Sequence, residues 1–465
     1  MARGRKLFWR TSVLVALCAG LALIGPALGG VASAGEKLTV WWNKGYYKEE
    51  DDGMQKIADA FAKENNVEMD LTFTIQDDLG PKIISALIAR RVPDVAFCFF
   101  NDFNITPKFA WEGKQADVSD VINELKPRYI EHHMATGRAY NNVEKKWAYY
   151  AIPIEAQALH THYWKDLVQE AGFDPDVKKI PMKWNEFWDF WKKVQQNLRK
   201  KDPAKYGKIY GIGMTSSSRA TDTIYNFEQY VLAHRGQILT PDGKVVAGEA
   251  KNREAIVKVL RFFTGIYKEG YVPTDALTWT DGDNNNNFHN KTTVMTPNPS
   301  VSIPGAHFFT NKDNYYNKIG TVLQPLSPVD GKTYPYLVAV KQIIIPKDAQ
   351  HQELGKKFVK YVLDAKRFTE YVKASNGRWF PSFKDVAADP FFHDPKDPHI
   401  PVVTAQHLKS ETAPFGFAYH PAYVQVYTEN VWGKAISRVV TEKWSDEQAV
   451  EEAVSRIQAI FKAWK

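Results

Sequence analysis

The sequence predicts an α/β protein of two lobes, on three observations. Strand-like and helix-like apolar periods alternate along the chain, 465 residues are length for a large two-lobed protein, and 44% hydrophobic residues are enough to fill a packed core. With 24% charged residues the composition is near the globular average, which excludes global disorder.

The formal charge of +7 is concentrated at the N-terminus, where Arg3, Arg5, Lys6 and Arg10 precede the first acid, Glu36. The remainder is close to balance and offers no basic stripe to neutralise a phosphate backbone, so no nucleic-acid partner is expected. The segment 1–34 reads as a secretory signal peptide: a basic start, an apolar run from Thr11 to Leu28, and Val31-Ala32-Ser33-Ala34 as an A-x-A cleavage site. Gly20, Gly25, Pro26 and Gly29-Gly30 weaken the same run as a membrane anchor, and Leu17 stands before Cys18 where a lipid-attachment motif wants a small side chain. A soluble, exported, periplasmic protein is expected. After cleavage Cys98 is the only cysteine, so no intramolecular disulfide forms; in the apolar run Asp94–Phe100 it reads as a buried small hydrophobe.

The elements follow in order. Lys37–Trp42 is a short apolar strand, and Met54, Ile57, Ala58 and Phe61 recur at helical spacing. Val67, Met69, Leu71, Phe73 and Ile75 alternate as a strand with one buried face; Ile83, Ile84, Leu87 and Ile88 return to the helical period, and Val95–Phe100 is a third strand. This β-α-β-α-β order predicts a parallel sheet whose ligands bind beyond the strand carboxyl ends, near Asn43-Lys44 and Asn101-Asp102. A second block opens with strands at Trp147–Glu155 and Ala158–Trp164. A helix carrying Trp184, Phe187, Trp188, Trp191, Val194 and Leu198 follows, a stripe read as core packing. Further helices are predicted at Asp222–His234, Asn252–Lys268, from Gln352, and at Ser445–Trp464, with strands at Ile209–Met214, Thr293–Thr296, Lys318–Gln324 and Leu337–Ile345.

Two metal patterns are weak. His160 and His162 share one strand face and His132-His133 lie elsewhere, but no spacing supplies a further ligand. Asp281–Asn287 is acidic and polar but lacks the Gly and Glu of a calcium loop, so it reads as a polar loop. No metal site and no cofactor are expected.

Several blocks carry a family likeness. Leu38–Trp42 is followed by Pro93-Asp94-Val95-Ala96-Phe97, and Ala110–Gly113 runs into Ala116–Val121. Lys146–Pro153, Tyr163–Leu167, Glu170–Phe173 and Lys183–Phe187 come in close succession, and Phe288–Met295 and Ile319–Val322 with Pro325 come later. In order and spacing these resemble the extracellular solute-binding proteins of bacterial ABC importers, in the sugar-binding branch that includes maltose-binding protein. Trp164 where Asn is usual, His289-Asn290 in place of a Gly turn, and the lack of a Trp after Met295 depart from the pattern and leave the sugar open.

The resemblance implies the type II, Venus-flytrap form of the periplasmic-binding-protein fold, with a ligand cleft between lobes that close by hinge motion. It implies lobe 1 from 35–155 and 340–382, lobe 2 from 156–339 and 383–465, and crossings near Ile154–Gln157 and Val338–Gln342. It further implies a monomer that captures a sugar, oligosaccharide or polyol without chemistry and delivers it to membrane permease subunits. Such a ligand needs planar polar groups for hydroxyls and aromatic faces for ring C–H surfaces. By position, the ligand-binding candidates are Trp42, Asn43, Lys44, Asn101, Asp102, Glu155, Gln157, Trp279, Asp281, Asn298, Arg378 and Trp379. Lys44, Arg219 and Arg378 leave room for an acidic sugar. The alternative is a periplasmic carbohydrate-active hydrolase, with Glu155 and Asp102 as its carboxylate pair.

Overall fold

The computed structural model describes residues 36–464, so the expected signal segment lies outside the described residues. Among the described residues thirteen strands occur in chain order: β1 (Lys37–Asn43), β2 (Glu68–Thr74), β3 (Val95–Phe97), β4 (Arg138–Asn141), β5 (Lys146–Tyr149), β6 (Ile152–Ala158), β7 (His160–Trp164), β8 (Tyr210–Ile212), β9 (Thr293–Asn298), β10 (Ile319–Val322), β11 (Tyr336–Ile344), β12 (Phe380–Pro381) and β13 (Thr412–Pro414).

The larger sheet has the order β12-β6-β11-β3-β1-β2, with β13 added beside β11. The parallel sheet read from the sequence is realised in β2-β1-β3, where Trp42 aligns with both Phe73 and Phe97. Beyond β3 the sheet becomes mixed, because β11 returns antiparallel to both β3 and β6. The smaller sheet is β10-β7-β9-β8. Among the described residues no helix is long and apolar enough to cross a membrane.

Two large apolar cores result. One gathers Leu38, Val40, Trp42, Phe97, Ile343, Phe358 and Phe368, and includes Phe383, Phe392 and Ile400. The other holds Trp164, Trp188, Trp191, Phe263, Trp432 and Ile457. The helix Trp184–Lys201 shows why local sequence suffices here. Its aromatic stripe is buried, and Arg199, Lys200 and Lys201 in the last turn meet the negative end of the helix dipole. Asp446–Ala463 starts at a full capping box between Ser445 and Gln448. The strands β6 and β11 run from one core to the other: Ile152, Ile154 and Ile343 pack in the first, and Leu337, Ala339 and, directly after β6, Leu159 in the second.

Three sequence expectations differ from the structure. The single strand expected at Trp147–Glu155 breaks, because Tyr150 and Ala151 both donate their N–H to Gly137 O, at 3.0 and 3.4 Å, and this turns the chain from the β4–β5 hairpin into β6. Only a glycine fits there, since a Cβ on Gly137 would meet Ala151 O at 2.4 Å. The face of β2 expected to be buried is half-buried, as β2 is an edge strand. The polar loop expected at Asp281–Asn287 is instead largely the helix Asp283–His289. Asp283 accepts from Thr280 N at 2.6 Å and Oγ1 at 2.8 Å, which caps the turn, and Asn284 and Asn285 are buried.

Candidate functional site

A cleft of about 450 Å³ opens where β6 and β11 cross between the cores. Elements of the first core supply Asn43, Lys44, Tyr46, Phe99, Arg378 and Trp379, and elements of the second supply Asp222, Tyr225, Asp281, Asn285, Asn298 and Ser300. Gln157 of β6 and Lys341 of β11 complete it.

Strand alternation decides who reaches the cleft. In β1, Leu38, Val40 and Trp42 point into the first core, where Trp42 packs on Phe97 with ring centroids 4.5 Å apart. Trp42 is therefore core, while Asn43 and Lys44 line the cleft, with Asn43 Oδ1 accepting from Phe99 N at 3.2 Å. Gln157, Asp281, Asn298, Arg378 and Trp379 also line it.

The remaining candidates do not line the cleft. Residues Asn101–Ile105 wind into a π-helical turn, and Asn101 Nδ2 donates to Ala96 O at 3.2 Å and Gln342 O at 2.9 Å, so Asn101 fastens the sheet from inside. The same turn puts Asp102 into the wall of a different cavity, paired with Lys341. Glu155 is fully buried with neither carboxylate oxygen hydrogen-bonded. Trp279 belongs to the second core. Arg219 is exposed and donates to Thr278 O at 3.3 Å, away from the cleft lining.

Sequence reasoning missed Tyr46, the Phe99, Phe100 and Phe103 group, Asp222, Tyr225 and Lys341. Lys341 carried a usable signal: it interrupts the apolar run from Leu337 to Ile345, where a lone cation must have a buried partner or a ligand.

The electrostatics are largely self-contained. Arg378 Nη1 donates to both oxygens of Glu50, at 3.0 and 3.1 Å, and its guanidinium lies 4.6 Å from the Trp379 ring centre. Lys341 Nζ donates to Phe99 O at 2.9 Å and lies 3.2 Å from Asp102 Oδ2. Burial pushes the Asp102 carboxyl up to about 6 against the pull of Lys341. Burial raises the Asp281 carboxyl, against the pull of the bonds it accepts from Thr221 Oγ1 at 2.6 Å and Asp222 N at 3.0 Å. Burial and the Asp281 charge push Asp222 well above the carboxylate range, so Asp222 is the partner that holds the proton. What faces the cleft is thus two buried bases paired from behind, the exposed Lys44, the acids Asp77, Asp222 and Asp281, amide groups and aromatic rings, with the Trp379 Nε1 donor left without a partner.

The histidines serve the packing. His162 contacts Thr321 Oγ1 at 2.9 Å and Ser300 O at 3.1 Å, and His160 contacts Gln406 Oε1 at 3.3 Å. Among the described residues no group of three or more His, Cys, Asp or Glu side chains is placed to hold a metal. Cys98 is buried, and its thiol is pushed up to about 12 by desolvation.

Two α/β units joined by antiparallel crossing strands, with a polar and aromatic cleft at the crossing, define a two-lobed binding-protein fold. The sequence profile of the family described as bacterial extracellular solute-binding protein matches residues 56–402, and the chain belongs to that family. No curated protein matches the chain. Among solved structures it is similar to an ABC transporter solute-binding protein of Thermotoga lettingae bound with α-D-tagatose. That likeness has a TM-score of 0.75 and 19% identity, over 91% of this chain and 99% of the other. It is also similar to maltose-bound MalE3 of T. maritima, with TM-score 0.71 and 19% identity over 91% and 99%. A third is a ribitol-bound solute-binding protein of Agrobacterium radiobacter, with TM-score 0.68 and 20% identity over 92% and 99%.

Proposed function

We propose that this chain is the periplasmic binding component of an ABC importer, exported through a signal peptide at 1–34. In this reading it is a monomer that captures a neutral sugar, oligosaccharide or polyol in the cleft and delivers it to membrane permease subunits. The observation that carries the reading is the pairing of the cleft's two buried bases, Arg378 with Glu50 and Lys341 with Asp102. With their charges satisfied from behind, neither asks for an anionic ligand. Lys44, also in the lining, is outnumbered there by Asp77 and Asp281, and the amide groups and aromatic faces suit hydroxyls and ring C–H surfaces. A micromolar ligand requires about −8 kcal/mol. Several hydrogen bonds of about 1 kcal/mol each and one stacked ring reach that once closure costs are met. The tagatose, maltose and ribitol in structural relatives support the same class of solute.

In this reading lobe 1 comprises 35–155 and 340–382 and lobe 2 comprises 156–339 and 383–465, except that Phe383–Ile400 moves with lobe 1, on whose core Phe383, Phe392 and Ile400 pack. The chain performs no chemistry on its solute: Asp102 is committed to Lys341, and Glu155 is buried outside the cleft lining.

A thermal-shift screen against neutral sugars, uronic sugars, polyols, polyamines and metals tests the reading. A bound solute at a hundredfold excess over its dissociation constant adds about 2.7 kcal/mol to the native state. A response confined to metals or polyamines sinks the sugar reading, and release of reducing ends from oligosaccharides sinks the binding-only one. Trp379→Phe keeps a ring but removes the unpartnered Nε1 donor, so it is expected to weaken the responding solute by about fivefold, one hydrogen bond of about 1 kcal/mol.

Tyr47 makes a second prediction. It follows β1, yet its ring packs 4.8 Å from that of Phe309 on the helix Ser302–Thr310, and its hydroxyl lies against Gly305. This contact joins the segment after β1 to the helix Ser302–Thr310, next to the cleft-lining Tyr46 and Ser302. Tyr47→Ala is expected to raise the dissociation rate of bound solute in stopped-flow traces while leaving the association rate nearly unchanged.

A further inference from the structure

On the opposite side of β11 lies a second cavity, of about 490 Å³, that the uptake function does not use. Side chains alternate along a strand, so Lys341 reaches the cleft while Val338, Val340 and Gln342 line this second space. The two cavities share one wall, and the Asp102–Lys341 pair crosses it.

The lining is that of a ligand site. Trp111, Tyr140 and Trp147 form a run of rings with centroids 5.6 and 5.5 Å apart. Trp147 is 56% exposed, a large aromatic left open to solvent. Arg138 lies over the Trp147 ring at 5.0 Å, and among the described residues no carboxylate forms a salt bridge with it. Gln342 is 2% exposed; its Nε2 donates to Thr136 O at 3.0 Å, but its Oε1 has no partner. A buried amide oxygen without a donor is unfavourable, and it stands in the wall of a cavity large enough to bring one.

We propose that this groove is a second binding site, for a neutral saccharide or cyclic polyol ring. Trp147 and Tyr140 offer faces to ring C–H groups, Gln342 Oε1 accepts from a hydroxyl, and Arg138 donates to a hydroxyl or ring oxygen. With Asp102 paired to Lys341, Asp242 balances the single Arg138 and leaves the lining without excess positive charge, which disfavours an anion as the occupant. The inference does not depend on what the front cleft binds.

The test is calorimetric and fluorescence titration of the mature protein with glucose, maltose, trehalose, ribitol and myo-inositol, repeated with Trp147→Ala and Arg138→Ala in the groove and Trp379→Phe in the cleft. Both groove positions are exposed, so these variants are expected to fold like the parent. The expected result is a binding event that Trp147→Ala weakens at least tenfold and Arg138→Ala also weakens, while Trp379→Phe leaves it intact. A binding event lost only in the groove variants sustains the groove even if the front cleft takes no sugar. If every isotherm, or its absence, is the same in Trp147→Ala and Arg138→Ala as in the parent, the proposal is overturned.

Discussion

Arg378→Ala is expected to lower the free energy of unfolding by about 3–5 kcal/mol, the cost of removing one partner from a buried ion pair. Glu50 is 3% exposed and Arg378 9%, and burial already raises the Glu50 carboxyl against the pull of Arg378. Glu155, fully buried and without a hydrogen bond, is pushed well above the carboxylate range by burial and by the Glu50 charge, against the pull of the same guanidinium. Removing Arg378 therefore strands Glu50 and also removes the one favourable charge that Glu155 feels. Glu50→Gln in the Arg378→Ala background is expected to recover a large part of the loss, because the amide carries no charge to bury. Urea unfolding of the parent, both single variants and the double variant measures the cycle. A loss under about 1 kcal/mol in Arg378→Ala would mean that the pair is solvated and that the cleft is wetter than its geometry indicates.

This pair also shows where the sequence runs out. The alternation that places Trp42 in the core and Asn43 at the cleft was written in the strand itself, and so was the aromatic stripe of the Trp184–Lys201 helix. Both are local periods of 2 and 3.6 residues. Arg378 meets Glu50 across 328 positions and Lys341 meets Asp102 across 239, and no local period encodes such a distance. Asn101 and Asp102 left the cleft for a related reason. The strand end was legible, but a π-helical turn directly after Phe100 was not, and it rotates the next residues by a fraction of a turn, enough to exchange one wall for another. The helix Asp283–His289 is a milder case. Four consecutive asparagines have poor helix propensity, and burial of Asn284 and Asn285 with their bonds to Thr296 and Asn298 overrides it.

The expected pH profile of stability follows from two opposing sets of buried groups. His160, His399 and His407 are held down to about 4, 3 and 3, chiefly by desolvation, and His133 and His162 lie well below their ordinary value for the same reason. A depressed histidine contributes stability that is present above its unfolded value, about 6.5, and is lost as pH falls toward the folded one. Glu228 is raised to about 7 and Asp102 to about 6, and Glu155 and Asp222 are raised further, again by burial. A raised carboxyl does the reverse: its contribution is present below the unfolded value, about 4, and is lost as pH rises through the folded one. Between about pH 6.5 and 4.5 the two sets nearly cancel, since the native acids take up protons while the unfolded histidines do the same. Below about pH 4.3 the unfolded acids are protonated as well, only the histidine contribution remains, and stability falls steeply. Above about pH 6.5 only the acids act, and stability declines toward about pH 8. The maximum is thus expected in mild acid. Glu228→Gln preserves acceptors for Tyr423 Oη, now at 2.6 Å, and Trp432 Nε1, at 3.2 Å, while removing the charge. It is expected to stabilise the protein at pH 8 by up to about 3 kcal/mol, since each tenfold change in proton affinity is about 1.4 kcal/mol, and to change nothing at pH 4. His407→Phe keeps the stack on Phe380, now at 4.5 Å, and is expected to flatten the acid limb instead. Unfolding midpoints of the three proteins across pH 3 to 9 decide the matter: a parent midpoint that climbs steadily to pH 8, with Glu228→Gln destabilised there, would show that Glu228 is ionised and paired in the native state.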